Sequence, residues 1–214
     1  MVDIRNFKGL MYNSNKSGDL SLNICPPFDV ISPTLQSELY SKSKFNLIRL
    51  EYGKEFDNDN DNSNKYVRAA NFFNDWVLKN VLVYDESCNF YLTEEKFSFQ
   101  NNNYSRTGIT VLVALEDLNN GSILPHENTR SDPKKDRLSL MKETKCNFSP
   151  LMSLYSDESG EIEKIFENSK KDKPELVINS NQGKLKFWKM RPISWFLSFA
   201  FDRSVICATL VSNR

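Results

Sequence analysis

The clearest periodic pattern in the chain is an apolar stripe with helical spacing between residues 65 and 80. This spacing puts the stripe on one face of a helix, and we expect that face to pack into the core. Two further helices are predicted where a capping residue precedes proline, at Ser32-Pro33 and at Asp132-Pro133. They run to about Lys42 and Lys145. The stripe consists of Tyr66, Ala69, Ala70, Phe73, Trp76 and Val77.

Segments rich in β-branched and aromatic residues predict strands around these helices. The segments are residues 3–12, 46–51, 89–99, 107–116, 151–155, 174–179 and 184–189. The third and fourth predict neighbouring antiparallel strands, and the last two predict a hairpin. A short helix is expected at residues 161–169. Because helices and strands are interspersed without strict alternation, the pattern predicts an α+β domain with a mixed, mainly antiparallel sheet and flanking helices.

The end of the chain departs from this pattern. Residues 193–211 are almost continuously apolar and are interrupted only by Asp202 and Arg203. Two central charges make a membrane-spanning helix costly, and the segment has no cap or turn that would define a helix or a strand. We therefore divide the chain into residues 1–190 and 191–214. We expect out-of-frame translation after about Met190, with a buried C-terminal element as the alternative.

Charge and cysteine content restrict the classes of partner. The chain has 28 basic and 28 acidic residues, so no excess positive charge favours direct DNA binding or an anionic membrane surface. Its four cysteines lie far apart without a C-x-x-C pair, which excludes the usual zinc and thioredoxin spacings. They are interpreted as small buried hydrophobic residues. With no secretory signal in the sequence, a cytoplasmic protein with reduced cysteines is expected.

Several motifs that would define a chemistry are incomplete. Residues 57–64 alternate Asp and Asn like a calcium loop, but Asn62 replaces the turn glycine and Arg68 replaces the bidentate glutamate. His126-Glu127 begins like a zinc-protease helix, yet position 130 is Arg rather than a second His. Neither glycine-rich phosphate-binding motif is present. We therefore expect no metal site and interpret residues 57–64 as a solvated loop.

Acidic and basic groups are concentrated on loops that contain proline. The only histidine, His126, lies in Leu124-Pro125-His126-Glu127, and Asp29 lies in CPPFDVISP. Asp29, His126 and Glu127 are therefore candidates for a general base or for binding an acceptor hydroxyl. The structural alternative is that Asp29 caps a turn and that His126 is a hydrogen-bonding loop residue.

A second group of polar residues is a candidate for binding substrate or phosphate. It consists of Arg130, Arg137, Asn147 and Ser149. A guanidinium group can bind phosphate with two parallel hydrogen bonds, which favours the two arginines for this role. The structural alternative for Arg137 is an ion pair with Asp136 or Glu143 on a helix surface.

Taken together, these segments resemble an uncharacterised bacterial family, domain of unknown function 1015. The matching stretches follow the family's order and cover almost all of residues 3–190. PPFDVISP, LPHE and NFSP are the specific parts. The stretches are IRNFKGLMY, CPPFDVISP, NLIRLE, YVRAANFFNDWVLKNVLV, LPHENT, DPKKDRLSLMKETKCNFSP and LMSLY.

The resemblance implies a distant relation to the ParB and sulfiredoxin superfamily, whose domains bind nucleotides and include kinases of free serine. It therefore implies a nucleotide-dependent phosphotransferase that acts on a small hydroxylated metabolite such as serine. The alternative is a non-catalytic, ParB-like nucleotide-binding or regulatory module. The family's second half carries an Asp-Gly-His-His-Arg motif that this sequence lacks. We therefore expect a truncated chain, incomplete relative to the family and inactive alone.

Overall fold

The computed structural model describes residues 2–117, 119, 121–125, 130–180, 183–191 and 205–212. The chain forms two compact units. Unit 1 contains Met1–Gly9, Asp85–Pro125 and Pro150–Arg214, and unit 2 contains Leu10–Tyr84 and His126–Ser149.

The described residues form six helices and nine strands, in agreement with the predicted α+β class. The helices are α1 (Ser14–Ser17), α2 (Pro33–Lys42), α3 (Ile48–Glu51), α4 (Lys65–Leu78), α5 (Ser131–Thr144) and α6 (Glu161–Ser169). The strands are β1 (Ile4–Arg5), β2 (Leu10–Tyr12), β3 (Leu82–Tyr84), β4 (Phe90–Phe99), β5 (Asn102–Ala114), β6 (Leu151–Tyr155), β7 (Leu176–Ser180), β8 (Gly183–Met190) and β9 (Val205–Ser212).

Unit 1 is built on a mixed, mainly antiparallel sheet, which has seven strands within the described ranges. Six strands follow the order β6–β9–β5–β4–β8–β7, and β1 pairs with the end of β5. The pairing of β6 with β9 is parallel, whereas the other pairings are antiparallel. The predicted antiparallel pair is confirmed as β4 and β5, and the predicted hairpin as β7 and β8.

The turn between β4 and β5 is shorter than the sequence predicts. Gln100 and Asn101 have φ angles of 49° and 64°. Positive φ at both positions is the geometry of a two-residue type I′ turn, whose twist matches that of paired strands. The tight turn allows β5 to begin at Asn102 rather than near Thr107.

The core of unit 1 lies between one face of the sheet and α6. Phe166, Ile162 and Ile165 of α6 lie at helical spacing and pack on this face, so the predicted helix at 161–169 is confirmed with its apolar stripe. The predicted strand at 151–155 is confirmed as β6. The buried core residues are Phe90, Leu92, Ile109, Val111, Val113, Phe166, Trp188 and Met190.

The C-terminal tail contains a strand, so the expectation of neither helix nor strand is wrong for residues 205–212. This strand, β9, lies between β5 and β6 and pairs with both. Its many β-branched residues favour a strand. Residues 192–204 lie outside the described residues. Out-of-frame translation after Met190 stays a prediction. Within the described part of the chain, no helix has the length and hydropathy needed to cross a membrane.

Unit 2 contains α1 to α5 and a two-stranded antiparallel sheet of β2 and β3. The strongest predicted helix is confirmed as α4, and Asn64 caps it by accepting hydrogen bonds from the backbone N–H groups of Tyr66 and Val67. Phe73 and Trp76 of the α4 stripe are buried in the core of this unit. The predicted start of α2 is also confirmed, since the Ser32 side chain accepts from Leu35 N–H at 3.2 Å.

Two predicted boundaries are wrong. Residues 3–12 form two strands in separate sheets, because the backbone between them bonds elsewhere: Phe7 pairs with Asn89 and the Gly9 carbonyl accepts from Asp85. Helix α5 begins at Ser131, and its N-cap is Arg130 rather than Asp132. The cap-plus-proline pattern therefore locates this helix to within two residues but assigns the wrong cap.

The predicted strand at residues 46–51 is also wrong, because α3 forms there. Asn46 is fully buried, and its side-chain oxygen accepts from Ile48 N–H at 3.0 Å. Its amide donates to the carbonyl oxygens of Leu22 and Ile24 at 2.7 and 3.0 Å. Such local side-chain bonds favour a turn over an extended strand. Helix α3 ends at Glu51, and the side chain of Glu51 is buried within unit 2.

Candidate functional site

The centre of the candidate site is the carboxylate of Glu51, which is only 3% exposed. Its Oε1 accepts a hydrogen bond from Nη1 of Arg137 at 2.9 Å and another from the hydroxyl of Ser149. Nη2 of Arg137 donates to the Glu51 backbone carbonyl, also at 2.9 Å. One guanidinium group on α5 therefore binds both the side chain and the main chain of Glu51.

Arg137 is held from two further directions. Its Nε donates to Oδ2 of Asp136 at 3.0 Å, and its guanidinium carbon lies 4.1 Å from the centroid of the Phe28 ring. Phe28 belongs to a 3₁₀ turn, Phe28–Val30, that follows two prolines. A planar guanidinium can stack on a ring and make hydrogen bonds in its own plane at the same time. The orientation of Arg137 is thus fixed by three different segments of the chain.

A second cation, Lys65, lies on the other side of Asp136. Its ammonium is 2.7 Å from Asp136 Oδ1 and 2.7 Å from Glu55, and the Tyr66 hydroxyl donates to Asp136 at 2.9 Å. Burial would lower the pKa of Lys65, but the hydrogen bonds to Asp136 and Glu55 raise it well above its usual value. Lys65 is therefore charged at neutral pH.

The Asp136 carboxyl is likewise charged at neutral pH. Burial alone would raise its pKa, but the hydrogen bonds from Lys65, Arg137 and Tyr66 outweigh burial and lower it. We call the residues that this network connects the Glu51 cluster. They are Glu51, Lys65, Tyr66, Asp136, Arg137 and Ser149.

A small cavity adjoins the cluster. Its walls include Glu51, Lys65, Tyr66 and Arg137, and its volume of about 10 Å³ has space for roughly one water-sized group. The second carboxylate oxygen of Glu51, Oε2, is buried and has no hydrogen-bond partner among the described residues. A buried carboxylate oxygen is costly without a donor. This part of the cluster can therefore accept a donor group.

Two cysteines of unit 2 are poor nucleophiles. Burial, and secondarily the negative charge of Glu51, raise the pKa of the Cys25 thiol to about 12. Burial also raises the pKa of Cys146. Because only a thiolate is strongly nucleophilic, neither residue is activated at neutral pH.

Residues 4–192 match the family described as "Protein of unknown function (DUF1015)". The chain belongs to this family. No curated protein and no solved structure shows a significant match to this chain. The resemblance inferred from the sequence is thus confirmed at the level of the family. The DUF1015 match includes all six residues of the Glu51 cluster, whereas β9 lies beyond it.

The cluster draws on several of the stretches that carried the DUF1015 resemblance. Glu51 comes from NLIRLE, Ser149 from NFSP, and Asp136 and Arg137 from DPKKDRLSL. Phe28, whose ring stacks on Arg137, comes from CPPFDVISP. The stretches CPPFDVISP and NLIRLE are far in sequence from the residues 132–150 that hold the others, and all of them meet in unit 2. Their meeting point is what makes the cluster the candidate site of this DUF1015 protein.

The structure brings together only two of the residues that the sequence predicted for a site, Arg137 and Ser149, which both bind Glu51. Asp29 is exposed in the 3₁₀ turn, and Arg130 is exposed at the start of α5. Asn147 is half-buried. His126 and Glu127 lie outside the described residues.

Sequence reasoning missed Glu51, Lys65, Tyr66 and Asp136. The sequence places Glu51 at the end of a predicted strand. It places Lys65 and Tyr66 on a helix whose apolar stripe indicates only packing into the core. Asp136 entered only as a surface partner of Arg137. One feature of the sequence could have indicated Glu51. It follows the mainly apolar residues of NLIRLE, a stretch that carries the family resemblance, and an acidic residue in such a buried position is unusual unless it is paired. Among the described residues, no group of His, Cys, Asp or Glu is arranged to hold a metal ion.

Proposed function

We propose that full-length proteins of the DUF1015 family are cytoplasmic, nucleotide-dependent phosphotransferases that act on a small hydroxylated metabolite, with serine as the first substrate to test. The supporting observation is the Glu51 cluster, in which a buried carboxylate, a hydroxyl and two cations share one hydrogen-bonded network. Phosphoryl transfer needs positive charge around the transferred group and a base near the acceptor hydroxyl. The cluster contains both kinds of group.

In this proposal Glu51 takes the role of base, for which the sequence had offered Asp29, His126 and Glu127. The Ser149 hydroxyl already donates to Glu51. A substrate hydroxyl bound in the same way would be placed to transfer its proton to the carboxylate. Arg137 and Lys65 would stabilise the negative charge of the phosphoryl group. No charge excess favours direct DNA binding.

A second candidate is a non-catalytic, ParB-like nucleotide-binding or regulatory module. It is favoured by the ion pairing of the two cations: Lys65 contacts Glu55 and Asp136, and Arg137 contacts Glu51 and Asp136. An incoming phosphoryl group has to compete with these carboxylates. If the carboxylates bind the two cations more strongly than a phosphoryl group does, the cluster stabilises unit 2 and takes no part in turnover.

The test is a phosphoryl-transfer assay on a purified full-length DUF1015 protein, with variants made at the equivalent positions and with this chain assayed beside it. ATP, ADP or CTP is supplied with serine or a panel of hydroxylated metabolites, and phosphorylated products are detected by mass spectrometry. The variants are Glu51→Gln and a matched control, Asp75→Asn, which removes an acid from the exposed Asp75–Lys79 pair on α4. We expect product with the full-length protein and its control, a rate about 100-fold lower with Glu51→Gln, and no product with this chain alone.

Each alternative result has a separate meaning. Nucleotide binding by calorimetry without any product supports the non-catalytic module. Product formation that is unchanged in Glu51→Gln contradicts the role given to Glu51. Neither binding nor product with any of the three nucleotides rules out both candidates.

A further inference from the structure

A second charged cluster, independent of the Glu51 cluster, lies in unit 1. Glu94 of β4 is surrounded by three ammonium groups, at 3.4 Å from Lys186, 3.5 Å from Lys170 and 3.8 Å from Lys96. The side chains of Glu94 and Lys170 are only 12% and 15% exposed. Three lysines therefore converge on one carboxylate at the edge of the core.

The sheet register explains this convergence. Glu94 lies opposite Lys186 on β8 and opposite Thr107 on β5. Residues directly opposite each other point to the same face of the sheet. On this face, α6 covers the core residues next to the row that contains Glu94. Helix α6 ends at Ser169, so the row that contains Glu94 lies at the end of the helix. Lys170, the next residue, reaches that row and contacts Thr107 at 3.1 Å.

A fourth lysine extends the same face. Lys184 lies opposite Lys96 in the next row and is exposed. The ion pairs of these lysines run to Glu94 and to Glu167, the latter 2.7 Å from Lys170. Four cations therefore face two carboxylates among these described residues, which leaves a local excess of positive charge. We call Lys96, Lys170, Lys184 and Lys186 the lysine cluster.

Glu94 cannot remove this excess. Burial alone would raise its pKa, but Lys186, Lys170 and Lys96 lower it, so the carboxyl is already charged at neutral pH. A carboxylate supplies one negative charge, whereas each ammonium carries three donors. Because Glu94 and Lys170 are mostly buried, their charges are screened less than those of an exposed pair. An anion that binds here gains from every lysine in the cluster.

We propose that the lysine cluster is a binding site for a single phosphate group, either inorganic phosphate or the phosphate of a small monoester. A dianion neutralises the excess charge of two, and the Thr107 hydroxyl lies beside Lys170 as a further donor. Three of the four ammonium groups lie within 4 Å of the Glu94 carboxylate, and this close grouping suits a compact anion. A nucleic acid spreads its charges along a strand, about 3.4 Å apart. This site does not depend on the proposed function of the Glu51 cluster.

The test is a calorimetric titration of the intact protein at low salt with inorganic phosphate and, separately, with phenyl phosphate. Lys186→Gln removes one cluster cation, and Lys164→Gln is the matched control, an exposed lysine on α6. We expect the Kd for phosphate to rise at least fivefold in Lys186→Gln and to change less than twofold in the control. Tighter binding of phenyl phosphate than of phosphate would identify a monoester as the ligand.

A third variant separates a phosphate site from a purely structural ion-pair network. Glu94→Gln removes the competing carboxylate, so phosphate should bind more tightly, by about threefold or more. A structural network predicts loss of stability without this gain. The proposal fails if wild type shows no phosphate or phenyl phosphate binding at millimolar concentrations, or if Lys186→Gln and Glu94→Gln leave the Kd unchanged. It also fails if a short DNA duplex binds more tightly than either probe. Circular dichroism confirms that each variant is folded.

Discussion

Arg137 neutralises the buried carboxylate of Glu51 while its guanidinium group stacks 4.1 Å from the Phe28 ring centroid. The two contacts reinforce each other, because stacking fixes the plane in which the guanidinium donates its hydrogen bonds. The carboxylate is only 4% exposed at the side chain, so it depends on this partner. Removing a partner from a buried ion pair is far more costly than removing the pair.

We therefore predict that Arg137→Met lowers the free energy of unfolding by about 3 kcal/mol, because it leaves Glu51 buried and uncompensated. The double variant Glu51→Gln, Arg137→Met should be more stable than Arg137→Met alone. Urea unfolding of the wild type, both single variants and the double variant measures the coupling. A cost below about 1 kcal/mol for Arg137→Met would show that the pair is not a structural requirement.

A pH dependence of stability follows from Asp136. Its folded pKa is below the usual value of 3.8, since hydrogen bonds from Lys65, Arg137 and Tyr66 outweigh the effect of burial. A carboxyl with a depressed folded pKa stabilises the protein above the unfolded pKa, and this contribution is lost as pH falls through the folded value. We expect Asp136→Asn to cost about 2 kcal/mol at pH 7.

The difference between wild type and Asp136→Asn should shrink as pH falls below about 4, because the carboxyl of the unfolded wild type is then protonated first and that of the folded protein only at lower pH. Chemical unfolding of both proteins from pH 7 to pH 3 measures this difference. The exposed Asp75→Asn variant is the control, and its difference from wild type should stay small throughout. A constant difference for Asp136→Asn at all pH values would contradict the linkage.

The sequence predicted those elements whose pattern is decided locally. The α4 stripe, the Ser32-Pro33 helix start and the β4–β5 pair were all recovered because periodicity, capping and β-branching act within a few residues. The segment NLIRLE was mistaken for a strand. Its apolar alternation is real, but Asn46 turns the chain through bonds to Leu22 and Ile24, more than 20 positions away. Such long-range contacts cannot be predicted from the local pattern of a single sequence.

The candidate site was predictable only in part for the same reason. Arg137 and Ser149 were singled out by residue type, and both do lie in the Glu51 cluster. Their shared partner was hidden by the wrong assignment of residues 46–51. Asp29 was chosen for its rigid loop, but the neighbouring Phe28 is the residue of that loop that touches Arg137. Proline fixes a backbone without indicating which side chain points inward.

The connection between β7 and β8 provides a further test. Gly183 has φ +146°, and a Cβ at this position would lie 2.0 Å from the backbone carbonyl oxygen of Lys96. Because backbone cannot move aside easily, Gly183→Ala should destabilise the protein by about 3 kcal/mol. Gly160→Ala is the matched control, since φ there is +67° but nothing lies within 4 Å of the added carbon.

The control should cost only about 1 kcal/mol, the price of a left-handed conformation in a residue with a side chain. Thermal and urea unfolding of both variants measure the difference. Equal costs would show that the β4–β8 pairing at Lys96 relaxes to admit the extra carbon.

Cysteine reactivity tests the electrostatics around Glu51 directly. Cys88 is exposed, whereas burial and the Glu51 charge raise the pKa of Cys25 to about 12. At pH 8 only about one Cys25 thiol in ten thousand is ionised, and burial also limits access of the reagent. Iodoacetamide should therefore modify Cys88 rapidly and Cys25 much more slowly. Peptide mapping by mass spectrometry measures each rate separately.

Glu51→Gln should speed the modification of Cys25, because removing the negative charge lowers the thiol pKa towards the value set by burial alone. Cys146 serves as an internal control, since burial rather than Glu51 raises its pKa. If the variant speeds both residues equally, the cause is general loosening of unit 2. If only Cys25 responds, the negative charge of Glu51 is the cause.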